Sequence, residues 1–259
     1  MSDLIWLSEA QMRRIEPYFP LSHGVPRVED RRIISGTIFV IRKGLRWRDA
    51  PADYGLPRTI YNRFIRWSRL GVFNKIFSAL SAQGGKPDRL MIDATHLKAH
   101  RTAASLLKKG PFPRRIGCTK ACPERSRRGG LNSKLHAVCD GKGQPLVMLL
   151  SEGQMSDCKG AALMLDALPR AKALLGDRGY DADWFRNALA ERNIAACIPS
   201  KRNRNAPIPH DAVLYRLRHK IMFGWLKDWR RIHTRYDRCA HTFMSAICIA
   251  ATVIFWINQ

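Results

Sequence analysis

The twelve residues RLMIDATHLKAH, Arg89–His100, begin with an apolar run, Leu90-Met91-Ile92, that stops on a carboxylate, Asp93. Such a run reads as a short strand buried on both faces, ending at the acid. A carboxylate at the end of a buried strand is costly without a cation nearby, because burial disfavours its charged form. The pattern returns in KALLGD, Lys172–Asp177, where Ala173-Leu174-Leu175 leads through Gly176 to Asp177. A single strand-end Asp is readily answered by a Lys or Arg. Two in the same kind of position point to a divalent cation with hard oxygen ligands, Mg2+ or Mn2+. Ions held in this way clamp the attacking and leaving oxygens when a phosphodiester is cut.

The surrounding pattern alternates strands and helices. SKLHAVC and PLVMLL read as two strands joined by a tight turn that begins at Asp140-Gly141. CKGAALMLDAL reads as a helix, KALLGD as a strand, DADWFRNALAERN as a helix that Asp181 and Asp183 would cap, and AACIPS as a strand. The chain from about Ala212 onward reads as helix. The fold class is therefore α/β, and ligands of such sheets gather outside the carboxyl ends of the strands, so Asp93 and Asp177 are expected to meet. His96 and His100, four apart, would share one face if helical, as metal ligands, a general base or polar DNA-facing groups.

Residues 3 to about 82 read as three or four short basic helices. Ser8 is placed to cap the first; Ile33, Ile34, Thr37, Ile38 and Ile41 recur at helical spacing in a second that ends at Gly44; LPRTIYNRFIRWSRLGVFNKIFSAL carries a further apolar stripe. This is either a helix-turn-helix module or a bundle whose exposed faces happen to be basic. Trp47, in WRDAP, is a core anchor or a DNA contact. SAQGGKPD, residues 81–88, marks the boundary, giving an all-helical domain over 1–86 and a second domain over 87–259.

At 259 residues and 46% hydrophobic content the chain can bury a sizeable core, and its formal net charge of +24 calls for a polyanionic partner, nucleic acid first. Residues 98–128 carry ten Lys and Arg against the single acid Glu124, a basic loop or arm. The seven cysteines are odd in number and scattered, which fits reduced intracellular thiols; Cys118 and Cys122 lack the second pair that structural zinc needs. FMSAICIAATVIFWI, Phe243–Ile257, is 15 residues long, short for a bilayer span of about 20, and reads as a buried core helix. With no charged leader in MSDLIWLSEAQM, no membrane association is expected.

The segments MIDATHLKAHRTAASLLKKGPFPR, GGLNSKLHAVCDGKGQPLVMLLSEGQMSD, GAALMLDALPRAKALLGDRGYDADWFRNAL and DWRRIHTRYDRCAHTFMSAICIAATVIFW together resemble the transposases of the bacterial insertion-sequence-five family. GLRWRDAPADYG and TIYNRFIRWSRLGVF are similar to that family's leading domain. The resemblance implies a ribonuclease-H-like mixed sheet flanked by helices, behind a helical DNA-binding domain. It implies a metal-dependent DNA transposase that cuts at terminal inverted repeats and joins the ends to target DNA. An acid triad, Asp, Asp and Glu, would hold two Mg2+ ions in an intact relative. Asp93 matches the first acid and Asp177 the second.

The third acid is missing from the pattern. The family's last catalytic helix runs Tyr, two residues, Arg, three residues, Glu, six residues, then Lys or Arg. Here Tyr215 and Arg218 fit, Met222 stands where Glu is expected, and Lys227 follows after four residues. A two-residue gap between Ile221 and Met222 accounts for both departures and implies a copy with impaired catalysis, or a DNA-binding remnant that interferes with an intact enzyme. A thioether is a poor ligand for a hard ion. If the helix is continuous, Lys227 is turned about 120° from Tyr215. Tyr215, Arg218 and Lys227 would by resemblance orient DNA near the scissile bond; Arg230 and Arg231, which follow Trp229, are neighbouring candidates, with Trp229 either stacked on an extruded base or packed in the core. Residues 121–128, ACPERSRR, resemble an insertion in a surface loop. The expected partners are double-stranded DNA and a second copy of the chain on it, and the expected location is cytoplasmic and nucleoid-associated.

Overall fold

A computed structural model describes residues 4–21, 28–103, 132–217 and 221–257. The basic loop from residue 104 onward, Cys118, Cys122, the 121–128 segment and Arg218 lie outside the described residues.

The chain forms two compact units. Among the described residues the first takes 4–80, 100–103 and 225–257, and the second takes 81–99, 132–217 and 221–224. This division departs from the boundary expected at residue 86, because the last thirty or so residues pack with the N-terminal helices.

In the first unit, helix α1 (Glu9–Ile15) starts at Ser8, whose side chain accepts from Gln11 N–H while Gln11 bonds back to Ser8 N–H, a complete capping box. Helix α2 (Asp30–Lys43) ends as expected at Gly44, in the left-handed region with φ 72°. That conformation suits glycine, and a Cβ there would stand 2.6 Å from Arg230 Cβ. Helix α3 (Pro57–Arg69) opens on proline at its first turn and buries Ile60, Phe64 and Trp67. Helix α4 (Val72–Ala82) follows after Gly71. Trp47 stacks on Phe64 at 4.8 Å between centroids, and Phe19 lies 4.4 Å from Trp67, so Trp47 serves as a core anchor.

At the other end of the chain, helix α10 (Ala240–Ala251) is buried along all 12 residues and continues into a π-helical turn over Thr252–Trp256. It is the buried core helix expected, packed against α2 and α3. No helix among the described residues is long and apolar enough to cross a membrane. Arg14 of α1 donates to the carbonyls of Trp256 and Ile257 at 2.8 and 3.3 Å, satisfying acceptors that the last helical turn leaves open.

The second unit is built on a sheet. Strands β1 (Arg89–Ala99), β2 (Asn132–Asp140) and β3 (Pro145–Glu152) form an antiparallel meander, and β4 (Ala173–Leu175) and β5 (Ala195–Cys197) add in parallel to β1, in the order β3-β2-β1-β4-β5. This is the mixed, ribonuclease-H-like sheet that was expected. The turn from β2 to β3 is fixed by Asp140, whose Oδ1 accepts from Lys142 and Gln144 N–H. Helix α5 (Asp157–Met164) covers β1–β3 and helix α6 (Asp183–Glu191) packs by β5, enclosing Leu90, Ile92, Val138, Leu149, Leu174, Phe185 and Ile198.

β1 is longer than expected. It runs on to Ala99 because β2 pairs with it from Leu90↔Asp140 to Lys98↔Asn132. His96 therefore sits on a strand and is exposed, and the shared helical face expected for His96 and His100 does not form.

Under α5 the sheet carries polar residues. His136 is buried with Nε2 2.9 Å from Ser151 Oγ, and Gly160 of α5 lies so close that a Cβ there would stand 2.3 Å from the His136 ring. Burial, then the Lys134 charge, hold the His136 imidazole down to about 4, against a smaller upward pull from Asp157. Because the folded state refuses the proton, His136 stabilises the fold fully above pH 6.5, and this contribution is lost as pH falls toward about 4. The linked loss is about 3 kcal/mol. Urea denaturation at stepped pH is expected to show a difference between the wild type and His136→Gln that shrinks through that window.

Candidate active site

The two strand-end acids are brought into register. Met91 of β1 pairs with Leu175 of β4, so Asp93 and Asp177 each stand two residues beyond the last parallel pair. The strands stay side by side past that pair, since a Cβ on Gly176 would stand 3.1 Å from Ile92 Cγ2. Asp93 alternates with Ile92 along β1, and so points away from the face where Leu90 and Ile92 join the core. Asp93 lies within β1 and not at its end, but it is where β4 has already stopped pairing.

Each carboxylate is oriented by a backbone donor. Asp93 Oδ1 accepts from Ala94 N–H at 2.9 Å, and Asp177 Oδ1 accepts from Gly179 N–H at 2.8 Å. Both residues are half-buried. As hard oxygen donors on neighbouring strands they suit a divalent cation that takes its remaining ligands from water or phosphate.

Asp157, in the first turn of α5, was not singled out by the sequence. A Cβ on Gly179 would stand 2.9 Å from both Asp157 Oδ2 and Asp177 Oδ1, so this third carboxylate borders the second. Its Oδ1 is 2.8 Å from Lys134 Nζ, and that amine also donates to Met155 carbonyl at 3.1 Å. The sequence signal was there: Lys134 and His136 alternate on a strand face covered by a helix, and a lysine in that position needs an acid. Among the described residues, no three of His, Cys, Asp and Glu converge as a metal-binding group.

Asp181 does not cap α6, whose N-cap is Ala182. Its carboxylate is buried and takes Lys201 N–H at 2.8 Å, Arg186 at 2.9 Å and Arg204 at 3.1 Å. Burial alone would raise this acid, but the three donors together hold it below the usual carboxylate range. Asp183 pairs with Arg204 as well. These contacts tie the 201–204 segment to α6, downstream of Asp177.

The expected final helix is broken. Helix α7 (Ala212–Arg216) is capped by Asp211 and ends at Leu217, with φ −76° and ψ 3°; helix α8 spans Ile221–Lys227. The 120° offset between Tyr215 and Lys227, which assumed one continuous helix, does not apply. Tyr215 is half-buried with its ring edge-on to His210 at 5.5 Å. Met222 is 5% exposed.

Lys227 and the two arginines belong to the first unit. Lys227 is half-buried, and desolvation lowers its ammonium below the ordinary lysine value. Helix α9 (Arg230–His233) exposes Arg230 but buries Arg231. Arg231 donates to Leu45 carbonyl at 3.0 Å and to Asp237 at 3.1 Å, and its guanidinium lies 5.2 Å from the Trp47 ring. As a DNA contact Arg231 is thus corrected: its guanidinium is buried and bonds inside the fold. Trp229, 4% exposed, is a core residue and not a base-stacking platform. Arg231→Ala is expected to lower the unfolding free energy by about 3 kcal/mol, as for a broken buried ion pair. Arg230→Ala should stay within about 0.5 kcal/mol. Urea titration of the two variants makes the comparison.

Residues 84–255 match the family described as Transposase DDE domain, and residues 7–77 match the one described as Putative transposase of IS4/5 family. A putative transposase for insertion sequence element IS6501 of Brucella ovis is 34% identical over 132 residues, which cover 49% of this chain and 100% of that protein. A putative transposase for insertion sequence element IS402 of Burkholderia cepacia is 29% identical over 156 residues, 55% of this chain and 72% of that one. Among solved structures, a piggyBac transposase synaptic complex with hairpin DNA superposes with a TM-score of 0.49 at 10% identity, over 95% of this chain and 69% of that one. A family of polynucleotidyl transferases that use divalent metal thus takes in most of the chain, with the sheet already described at its centre; the chain belongs to the DDE transposases, as an insertion-sequence transposase of the IS4/5 group.

Proposed function

We propose that Asp93 and Asp177 are the metal-binding acids of this transposase, and that this copy cleaves DNA poorly because the third acid is absent. The observation that carries the reading is that the two carboxylates each stand two residues beyond the last parallel pair of neighbouring strands. Mg2+, or Mn2+ in its place, would supply charge neutralisation at the scissile phosphate and a more acidic bound water. The chain's own part is to hold the two carboxylates through Ala94 and Gly179 N–H, and to bind the phosphate backbone through exposed cations such as Arg178 and Arg230. Tyr215 and Lys227, with Arg218 by resemblance, are proposed to orient the DNA end.

The substrates proposed are the element's terminal inverted repeats and a target duplex, handled by a homodimer because two ends are processed together. A nucleoid-associated location would follow from binding of that kind. The buried Met222 favours a second reading for this copy, a DNA-binding protein that occupies element ends without cutting them.

Two measurements separate these readings. Mn2+ binding followed by electron paramagnetic resonance is expected to weaken by at least about tenfold in Asp93→Asn and in Asp177→Asn, since even outer-shell changes cost that much. Unchanged binding in both would remove the two acids from the site. Inserting Glu-Asn after Ile221 is expected to bring out Mg2+-dependent nicking of a duplex that carries the element ends, while the unrepaired chain stays near background. Equal nicking by the two chains would sink the idea of an impaired copy.

A further inference from the structure

The face of α3 turned to solvent has a composition of its own. Arg58, Tyr61, Asn62, Arg66 and Arg69 are exposed, and Ile65 is half-buried among them. At 100° per residue these six fall within an arc of about 140°. The opposite side is fixed firmly, with Ile60 and Phe64 at 0% and Trp67 at 1% exposure.

A solvated basic helix usually relieves its charge with acids three or four residues away. The 13 residues of α3, PRTIYNRFIRWSR, contain no Asp or Glu. Among the described residues the acid that pairs with the helix is Asp30, which takes Arg63 on the flank at 2.7 Å. Trp47, stacked on Phe64, also touches Tyr61 at 5.6 Å, and Arg46 and Arg48 beside it are exposed. The arc is thus a row of cations that no acid pairs with among the described residues, with an amide and a phenol in its N-terminal half.

We infer that α3 is the element by which the first unit reads duplex DNA in the major groove, with Arg58 and Asn62 on base edges and Arg66 and Arg69 on phosphates. The chemistry fits residue by residue. A guanidinium pairs with the O6 and N7 of guanine, and an asparagine amide pairs with the N6 and N7 of adenine. Recognition helices present their N-terminal residues to the bases, and Arg58 and Asn62 lie one turn apart at that end. A helix of 13 residues is about 20 Å long with side chains that the major groove admits. The inference rests on the reading that this chain binds DNA, and adds to it which surface carries sequence information.

Selection from a random duplex library with the purified full chain tests it. The wild type is expected to enrich a defined motif. Asn62→Ala and Arg58→Ala should each lose preference at one or two adjacent base pairs, with affinity for the selected duplex falling on the order of tenfold and affinity for a scrambled duplex little changed. Arg66→Ala and Arg69→Ala should weaken binding to both duplexes alike and flatten the salt dependence. Arg13→Ala, an exposed change on α1, should keep the motif. All five positions are exposed, and matching circular dichroism and melting curves confirm that each variant folds. Salt-dependent binding with no motif, or a motif that survives both Asn62→Ala and Arg58→Ala, overturns the inference while leaving DNA binding in place. Absence of any DNA binding overturns both.

Discussion

The parallel pairing of β1 with β4 is the constraint on which the proposed site depends. It is short, spanning Arg89–Met91 against Ala173–Leu175, and its residues are apolar apart from the leading Arg89. Leu90 and Leu174 are 0% exposed, so a one-residue slip would turn these core residues to the wrong face and separate the two acids. The same burial explains why the acids lie where they do. A carboxylate inside the paired segment would lack solvent and counter-charge, whereas two residues further on backbone N–H groups are available. The cost of burying charge and the need for hydrophobic register thus select one position, and both strands use it.

Charge in this protein does two different jobs. A net +24 reads at first as a surface made for phosphates, but many arginines point inward. Arg14 serves the carbonyls of Trp256 and Ile257, Arg31 that of Leu7, Arg186 that of Ile198 and Arg231 that of Leu45. With 21 acids to 45 Lys and Arg, backbone carbonyls become the partners of choice, and a planar guanidinium with five donors suits that task better than an ammonium. Several of these bonds join residues far apart in sequence, so they staple the first unit and the sheet unit each within itself. What remains for DNA is the exposed subset, of which Arg230 is one and Arg231 is not.

The sequence carried those parts of the fold that local chemistry specifies. Ser8 and Gln11 announce a helix start, Gly44 a helix end and Asp140-Gly141 a hairpin, because each motif satisfies its own backbone groups within a few residues. The apolar runs ahead of Asp93 and Asp177 were legible for a related reason, since alternation of apolar stretch and polar stop is a local pattern, though β1 continues past Asp93. What escaped was set by distant partners. β1 extends to Ala99 because β2 is there to pair with it. Asp181 looked like a cap until Arg204, Arg186 and Lys201 claimed it, and Arg231 looked solvent-facing until Leu45 and Asp237 did. The boundary expected after residue 86 follows the chain, whereas compactness is spatial and returns residues 225–257 to the first unit.

The position of Met222 can be argued further from helix phase. In α8, Met222, Phe223 and Leu226 are buried while Gly224 and Trp225 are exposed, a stripe that fixes how the helix is rotated. An acid placed at Met222 itself would enter that buried stripe, where its charge is disfavoured. Two residues restored after Ile221 would act differently. With the rotation of α8 held by its apolar stripe, the added length has to be taken up on the α7 side, where Leu217 has already left the helix. A Glu two residues ahead of Met222 is turned about 200° from it, to the flank of the buried stripe between the directions of half-buried Lys227 and exposed Gly224. Chain length between the two helices therefore matters more to the third carboxylate than the identity of the side chain at Met222. The two departures, the absent acid and the shortened spacing to Lys227, reduce to one change.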